Sequence, residues 1–321
     1  MRQISIFAGV VLLSASAFAA DTQLLNLVMP DAQVMAGMNV TTSKISPFGQ
    51  YLLTQISAND QGLRDFVSKT GFDPRQDVSE ILAASTGNAA APSGIVLARG
   101  NFNVDSLVSL ISAEHKQQVT SYAGARLITG TDPKDTHAIA FIGTSIAVLG
   151  DVASVKAALD RAGSVNSISP ALATKVQALS TTQDAWSVSL ASIGSMIPGG
   201  IGPKDGPATQ AFQLVKNIQS SSGGVKFGTI IQVTGQAVAD TPQNATALAD
   251  IVRMVAGLVS MTAAQDPHVA SAVQMLQSLK VTTDGAAVNI SAGFPEAQVE
   301  ELIKLASGSG PGVAGIKARR M

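Results

Sequence analysis

Cysteine is absent from all 321 residues. Its absence removes disulfides, thiolate nucleophiles and thiolate metal sites, so packing and hydrogen bonds alone must hold the fold. It also excludes a lipid attached through an N-terminal cysteine. Histidine is nearly as scarce. His115, His137 and His268 lie far apart in sequence and form no H-x-x-x-H pair, which leaves little for a zinc site that needs several converging ligands. Aromatic residues make up 4% of the chain, with a single tryptophan. Charge is sparse and balanced, 21 basic against 22 acidic residues, which argues against nucleic acid as a partner. The chain is nonetheless 46% hydrophobic, too apolar for a disordered polymer.

Long hydrophobic runs are also missing after the first twenty residues. Residues 245–264 come nearest, but Asp250 and Arg253 interrupt them. Leu248, Ile251, Val252, Val255, Leu258 and Val259 recur there at helical spacing, which predicts one buried helix face and no membrane span. The beginning of the chain reads differently. Arg2 is the only charge before an almost wholly apolar run over residues 4–15, and Ala17-Phe18-Ala19 follows just ahead of Ala20 and Asp21. A positive start, a short apolar stretch and an A-x-A site predict a bacterial-type signal peptide over residues 1–20, with the mature chain beginning at Ala20 or Asp21 and located in the periplasm or outside the cell.

Ser46-Pro47, Asp73-Pro74, Ser169-Pro170, Thr241-Pro242 and Asp266-Pro267 repeat one device. A short oxygen-bearing side chain accepts from free helix N–H groups, and proline in the first turn has no N–H to leave unsatisfied, so each pair predicts a helix start. Strand character falls at residues 33–40, 94–99, 184–188 and 225–238. Hairpins are predicted for 138–142 with 146–149 through Gly143-Thr144-Ser145, and for 279–282 with 287–290 through Asp284-Gly285. Each hairpin leads into a helix, near 151–161 and 295–306. The mature chain therefore reads as an α+β protein of two diverged copies of a strand-helix-strand-helix-hairpin-helix unit, residues 22–163 and 164–306, followed by a flexible basic tail over 307–321. Each copy is expected to be a split, ferredoxin-like unit, in a mixed, mainly antiparallel sheet with helices on one face.

The segments beginning Met29-Pro30-Asp31-Ala32 and Gly71-Phe72-Asp73-Pro74 resemble parts of uncharacterised exported bacterial proteins that are grouped only as a domain of unknown function. The resemblance covers mainly residues 29–100. It implies a strand start at the first motif and a helix start at the second, and no activity.

Catalytic motifs are scarce. Gly143-Thr144-Ser145-Ile146-Ala147 falls one residue short of the G-x-S-x-G elbow and lies in a predicted hairpin, not the strand-to-helix turn that exposes a nucleophile. The carboxylates Asp73, Asp77 and Glu80, and likewise Glu296, Glu300 and Glu301, fall at predicted helix starts, where the helix dipole accounts for them. No G-x-x-x-x-G-K loop occurs. No cofactor and no metal site is expected. One segment stands apart: residues 194–207 are too rich in glycine and proline for a regular element, yet carry Met196, Ile197, Ile201 and Lys204 as candidate contact residues. These features predict a non-enzymatic binding or interaction protein of the bacterial envelope, with an envelope protein or an apolar ligand as its partner. The alternatives are a hydrolase whose site is assembled from remote residues, and a carrier of lipid or another apolar ligand.

Overall fold

The computed structural model describes residues 19–59, 61–114, 117–132, 134–165, 168–198, 203, 207–263 and 276–306. In chain order the first half comprises α1 (Thr22–Leu27), β1 (Val34–Asn39), α2 (Val40–Ile45), α3 (Pro47–Asn59), α4 (Gln61–Thr70), α5 (Pro74–Asp77), β2 (Val78–Ser85), β3 (Gly94–Gly100), α6 (Val104–Glu114), β4 (Gln117–Tyr122), β5 (Ala125–Gly130), β6 (His137–Ile142), β7 (Ile146–Asp151) and α7 (Val152–Asp160). The second comprises α8 (Pro170–Ser180), β8 (Ala185–Ser189), α9 (Ile193–Met196), α10 (Pro207–Lys216), β9 (Ile218–Lys226), β10 (Ile230–Ala239), α11 (Pro242–Ala263), β11 (Lys280–Asp284), β12 (Ala287–Pro295) and α12 (Glu296–Ala306).

Among the described residues, all twelve strands join one sheet in the order β11-β12-β10-β9-β8-β1-β2-β3-β7-β6-β5-β4. Every neighbouring pair is antiparallel. The protein is thus α+β on an antiparallel sheet. A ferredoxin-like unit needs a split β-α-β with two parallel strands, and no such pair occurs among the described residues. The two halves meet where β1 pairs with β8, Ala36 opposite Ser187.

The predicted hairpins form as β6–β7 and β11–β12, with Gly143 and Gly285 at positive φ in their turns. Ser169 caps α8, and the Asn244 amide bonds to the Thr241 hydroxyl at the start of α11. Asp266-Pro267 lies outside the described residues, as do residues 1–18 and the tail over 307–321. Asp73 caps α5, but that helix ends after four residues and Val78 opens a strand. Glu80 therefore belongs to β2, not to a helix start. The strand expected over 225–238 holds the last two residues of β9, a break at Phe227-Gly228-Thr229 and most of β10, while the rest of β9 lies before it and pairs back on β10.

Helices cover both faces of the sheet, in contrast to the one-sided arrangement expected. On one face α1, α7 and α8 bury Met35, Leu82, Leu97, Val148, Trp186 and Val188 in a single aliphatic core drawn from both halves. On the other face α4 and α6 bury Phe141, Ile128 and Ala147 near one edge of the sheet, and α11 buries Val288 near the other. The buried face expected for α11 holds only in its first part. Leu248 is buried and Ile251 and Val252 are half-buried, but Val255 and Leu258 are exposed; the side chain of Val259 lies outside the described residues. Twenty-two helical residues span ~33 Å, whereas the five-residue β11 spans ~17 Å. The helix outruns the strand beneath it.

Candidate functional site

Side chains opposite one another in paired strands share a face. Following the register from edge to edge on the α4, α6 and α11 side gives one row: Val281, Ile290, Gly235, Gly223, Ser187, Ala36, Ala83, Val96, Leu149, Ile139, Ile128 and Val119. Ile290 and Val281 pack against the core under α11, and Ile139 and Ile128 against the core under α6. Between these covers the row consists of glycine, serine and alanine, then Val96 and Leu149, which are 42% and 37% exposed. A Cβ built at Gly235 would meet nothing within 4 Å.

Two hollows open onto this uncovered stretch. One, about 330 Å³, is lined by Ala36, Ala83, Val96 and Leu149. The other, about 520 Å³, is lined by Ser187, Gly223, Val225, Val233 and Gly235. The small residues make the floor low, so the sheet surface forms a shallow apolar trough between two helical covers.

The segment expected to be irregular over 194–207 begins as helix α9, with Ser192 as its cap, and α10 starts at Pro207. Its first part is tied to the β2–β3 connection: the Ala89 amide donates to the Ser195 carbonyl at 3.0 Å and the Ser195 hydroxyl to the Gly87 carbonyl at 3.2 Å. Met196 is exposed and lines a further hollow with Ser85 and Gly94, the same residues that border the 330 Å³ hollow. Met196 therefore sits at the end of the trough. Ile197 is half-buried just after α9. Ile201 and Lys204 lie outside the described residues.

Among the described residues, the reactive groups singled out in the sequence do not converge. Ser145 lies in the β6–β7 turn, where its hydroxyl accepts from Arg99 Nη1 at 3.3 Å. His137, the one described histidine, is exposed beside Asp135. Asp73 accepts from its neighbour Arg75 at 2.7–2.8 Å, and that guanidinium holds the Asp73 carboxyl below the usual carboxylate range. Glu300 pairs with Lys304 on α12. Among the described residues no three histidine, aspartate or glutamate side chains group as a metal site requires, and no helix is long and apolar enough to cross a membrane.

A buried polar junction went unnoticed in the sequence. Asp184, just before β8, accepts from Thr42 Oγ1 at 2.8 Å, Lys226 Nζ at 2.8 Å and the Phe227 amide at 2.7 Å. It ties the first turn of α2, just after β1, to the β9–β10 turn. The one available signal was a carboxylate next to a strand rich in apolar residues.

The fold defines an α+β protein built on one antiparallel sheet with helices at both ends of an open face. This fold recurs in solved structures of a protein called TP0453. Its crystal form III aligns at 9% identity and a TM-score of 0.53 over 88% of this chain and 97% of that one. Crystal form I aligns at 9% identity and a TM-score of 0.51, covering 91% and 100%, and crystal form IV at 10% and 0.50, covering 87% and 95%. At such identity the likeness is one of fold. No family model matches the sequence, and no curated protein does.

Proposed function

We propose that this chain is an exported, non-enzymatic binding protein of the bacterial envelope, and that its contact surface is the uncovered middle of the sheet with Met196 at one end. The observation that carries this reading is the composition of the row across the central strands. Buried or half-buried strands favour valine, isoleucine and aromatic side chains, and glycine, alanine and serine weaken them. Gly235, Gly223, Ser187, Ala36 and Ala83 stand side by side in five adjoining strands; Gly223 is held to glycine by the Thr234 carbonyl, 2.4 Å from where its Cβ would stand, but at Gly235 a larger residue would meet only open space. Small residues at such a place suit the close approach of another molecule.

A second reading, a carrier of lipid or another apolar ligand, is favoured by the volumes of the two hollows, which fall in the range of small-molecule sites. Native mass spectrometry of the protein purified from its own host tests both. A retained mass of several hundred daltons supports the carrier, a retained polypeptide supports the interaction protein, and a bare chain under gentle conditions contradicts both.

The two halves further support the reading of a duplication. From the central β1·β8 pair outward, one half runs first, second, third, last and next-to-last strand (β1, β2, β3, β7, β6), and the other does the same (β8, β9, β10, β12, β11). The β4–β5 pair is the extra element at the edge of the first half. A helix follows the third strand in each, α6 and α11, and a helix follows each terminal hairpin, α7 and α12. Superposition of residues 94–163 on 226–306 tests this: corresponding strands and helices coincide if the halves are copies.

A further inference from the structure

The entry of the chain into the fold is held by an unusual charge cluster. Asp21 caps α1, accepting from the Gln23 and Leu24 amides. Its carboxylate receives Arg99 through Nε and Nη2, both at 2.9 Å, and the same guanidinium reaches Gln23 and Ser145. The main-chain nitrogen of Asp21 in turn donates to both carboxylate oxygens of Glu80, at 3.1 and 3.3 Å. Glu80 and Arg99 face each other across the β2–β3 pair.

The charges in this cluster do not cancel. Asp21 and Glu80 contribute two negative charges and Arg99 one positive, and Arg99 is spent on Asp21. Asp21 and Arg99 are the charged groups that act on Glu80. Burial, reinforced by the Asp21 carboxylate, pushes the Glu80 carboxyl up from its ordinary range. A half-buried carboxylate whose direct partner is a neutral amide lacks a counter-ion.

We propose that Glu80 is the docking site for the α-ammonium group created when the signal peptide is removed at Ala20 or Asp21. Hydrolysis of the peptide bond by a signal peptidase adds the hydroxyl of water to the leader's carbonyl carbon and a hydrogen to the departing nitrogen, which then takes up a proton. If the mature chain begins at Asp21, the new charge falls on the nitrogen already bonded to Glu80. If it begins at Ala20, the charge lies one backbone repeat upstream, ~3.8 Å, on a residue already packed against the core. Either way the cluster becomes neutral, and the processed end is locked to β2. Before processing, the same position holds an uncharged amide, so the ion pair belongs to the exported form alone.

The test uses the full chain, exported with its own leader and purified after processing. Intact mass gives the terminus, and the pH dependence of acylation at the terminal amine of the folded protein gives that amine's pKa. An exposed α-amine titrates at about 7.7–8.0, and burial without a partner lowers it. The expected result is a terminus at Ala20 or Asp21 whose amine titrates at least one pH unit higher, and is thus acylated about tenfold more slowly near neutrality. Glu80→Gln restores the ordinary value and rate, and Glu80→Asp, which keeps the charge but shortens the reach, falls between. A terminus elsewhere, an ordinary amine in the wild type, or an elevated value unchanged by Glu80→Gln overturns the proposal. Should Glu80→Gln fail to accumulate, the wild-type value and Glu80→Asp decide.

Discussion

Trp186 lies directly across from Gly37 in the β8–β1 pair, and its indole occupies the space a side chain at residue 37 would need. A Cβ there would stand 2.4 Å from Cζ2 of the ring. This contact is at the seam between the two halves, and Trp186 is only 6% exposed. Because the indole is wedged in the shared core, it cannot swing away cheaply. Gly37→Ala is expected to cost about 1–3 kcal/mol through overpacking. Urea unfolding followed by the fluorescence of this single tryptophan checks it, and an unchanged midpoint contradicts it.

Gly235 is the opposite case, a strand glycine with open space where its side chain would be. Gly235→Val is expected to fold and to gain up to ~1 kcal/mol from strand propensity and reduced backbone freedom. It also raises the floor of the trough. The same variant should lose any ligand or partner that the wild type retains from its host, so thermal melting and native mass spectrometry are expected to move in opposite directions.

Asp184 holds three donors in a buried position. Asp184→Ala leaves the Phe227 amide without its acceptor and is expected to cost about 3 kcal/mol. Lys226 is half-exposed, so Lys226→Ala is expected to cost under about 1 kcal/mol. Equal losses in chemical denaturation contradict this assignment.

Asp73 provides a pH-dependent contribution. The hydrogen bond from Arg75, aided by the Arg75 amide, lowers its folded pKa, so its stabilisation is present above the unfolded value of about 3.9 and is lost as pH falls through the folded value. Asp73→Asn keeps the cap, because Asn serves there as well as Asp, but gives up the ion pair with Arg75, and is expected to be less stable than wild type by under about 1 kcal/mol near neutrality. That difference should shrink below about pH 4. A constant gap between the two unfolding curves from pH 7 down to pH 3 contradicts it.

Much of the local structure was legible in the residues. The oxygen-proline pairs mark α3, α8 and α11 because capping is a local interaction, and the two hairpins follow from turn residues and alternating apolar positions. β2 was obscured because the Asp73-Pro74 signal is genuine but serves a helix of only four residues. β9 and β10 merged in the reading because Phe227-Gly228-Thr229 carries no strong turn signature. The open sheet face was not legible at all. Ala36, Ala83, Ser187, Gly223 and Gly235 are unremarkable one at a time, and become a surface only through a strand order that joins residues up to two hundred positions apart. Glu80 was misjudged for a similar reason, since its partner Asp21 lies fifty-nine residues away.

The central claim, that the uncovered sheet face is where this protein makes contact, is tested most directly by methyl NMR of the mature protein titrated with envelope extract from its host. Ala36, Ala83, Val96 and Leu149 point into the trough, while Leu82, Leu97 and Val148, on the same strands, point into the core on the other side. The account predicts shifts or broadening at the first four methyl-bearing residues, lost in Gly235→Val, with the second set nearly unmoved. Perturbation confined to the opposite face, or none on the trough at any extract concentration, contradicts it.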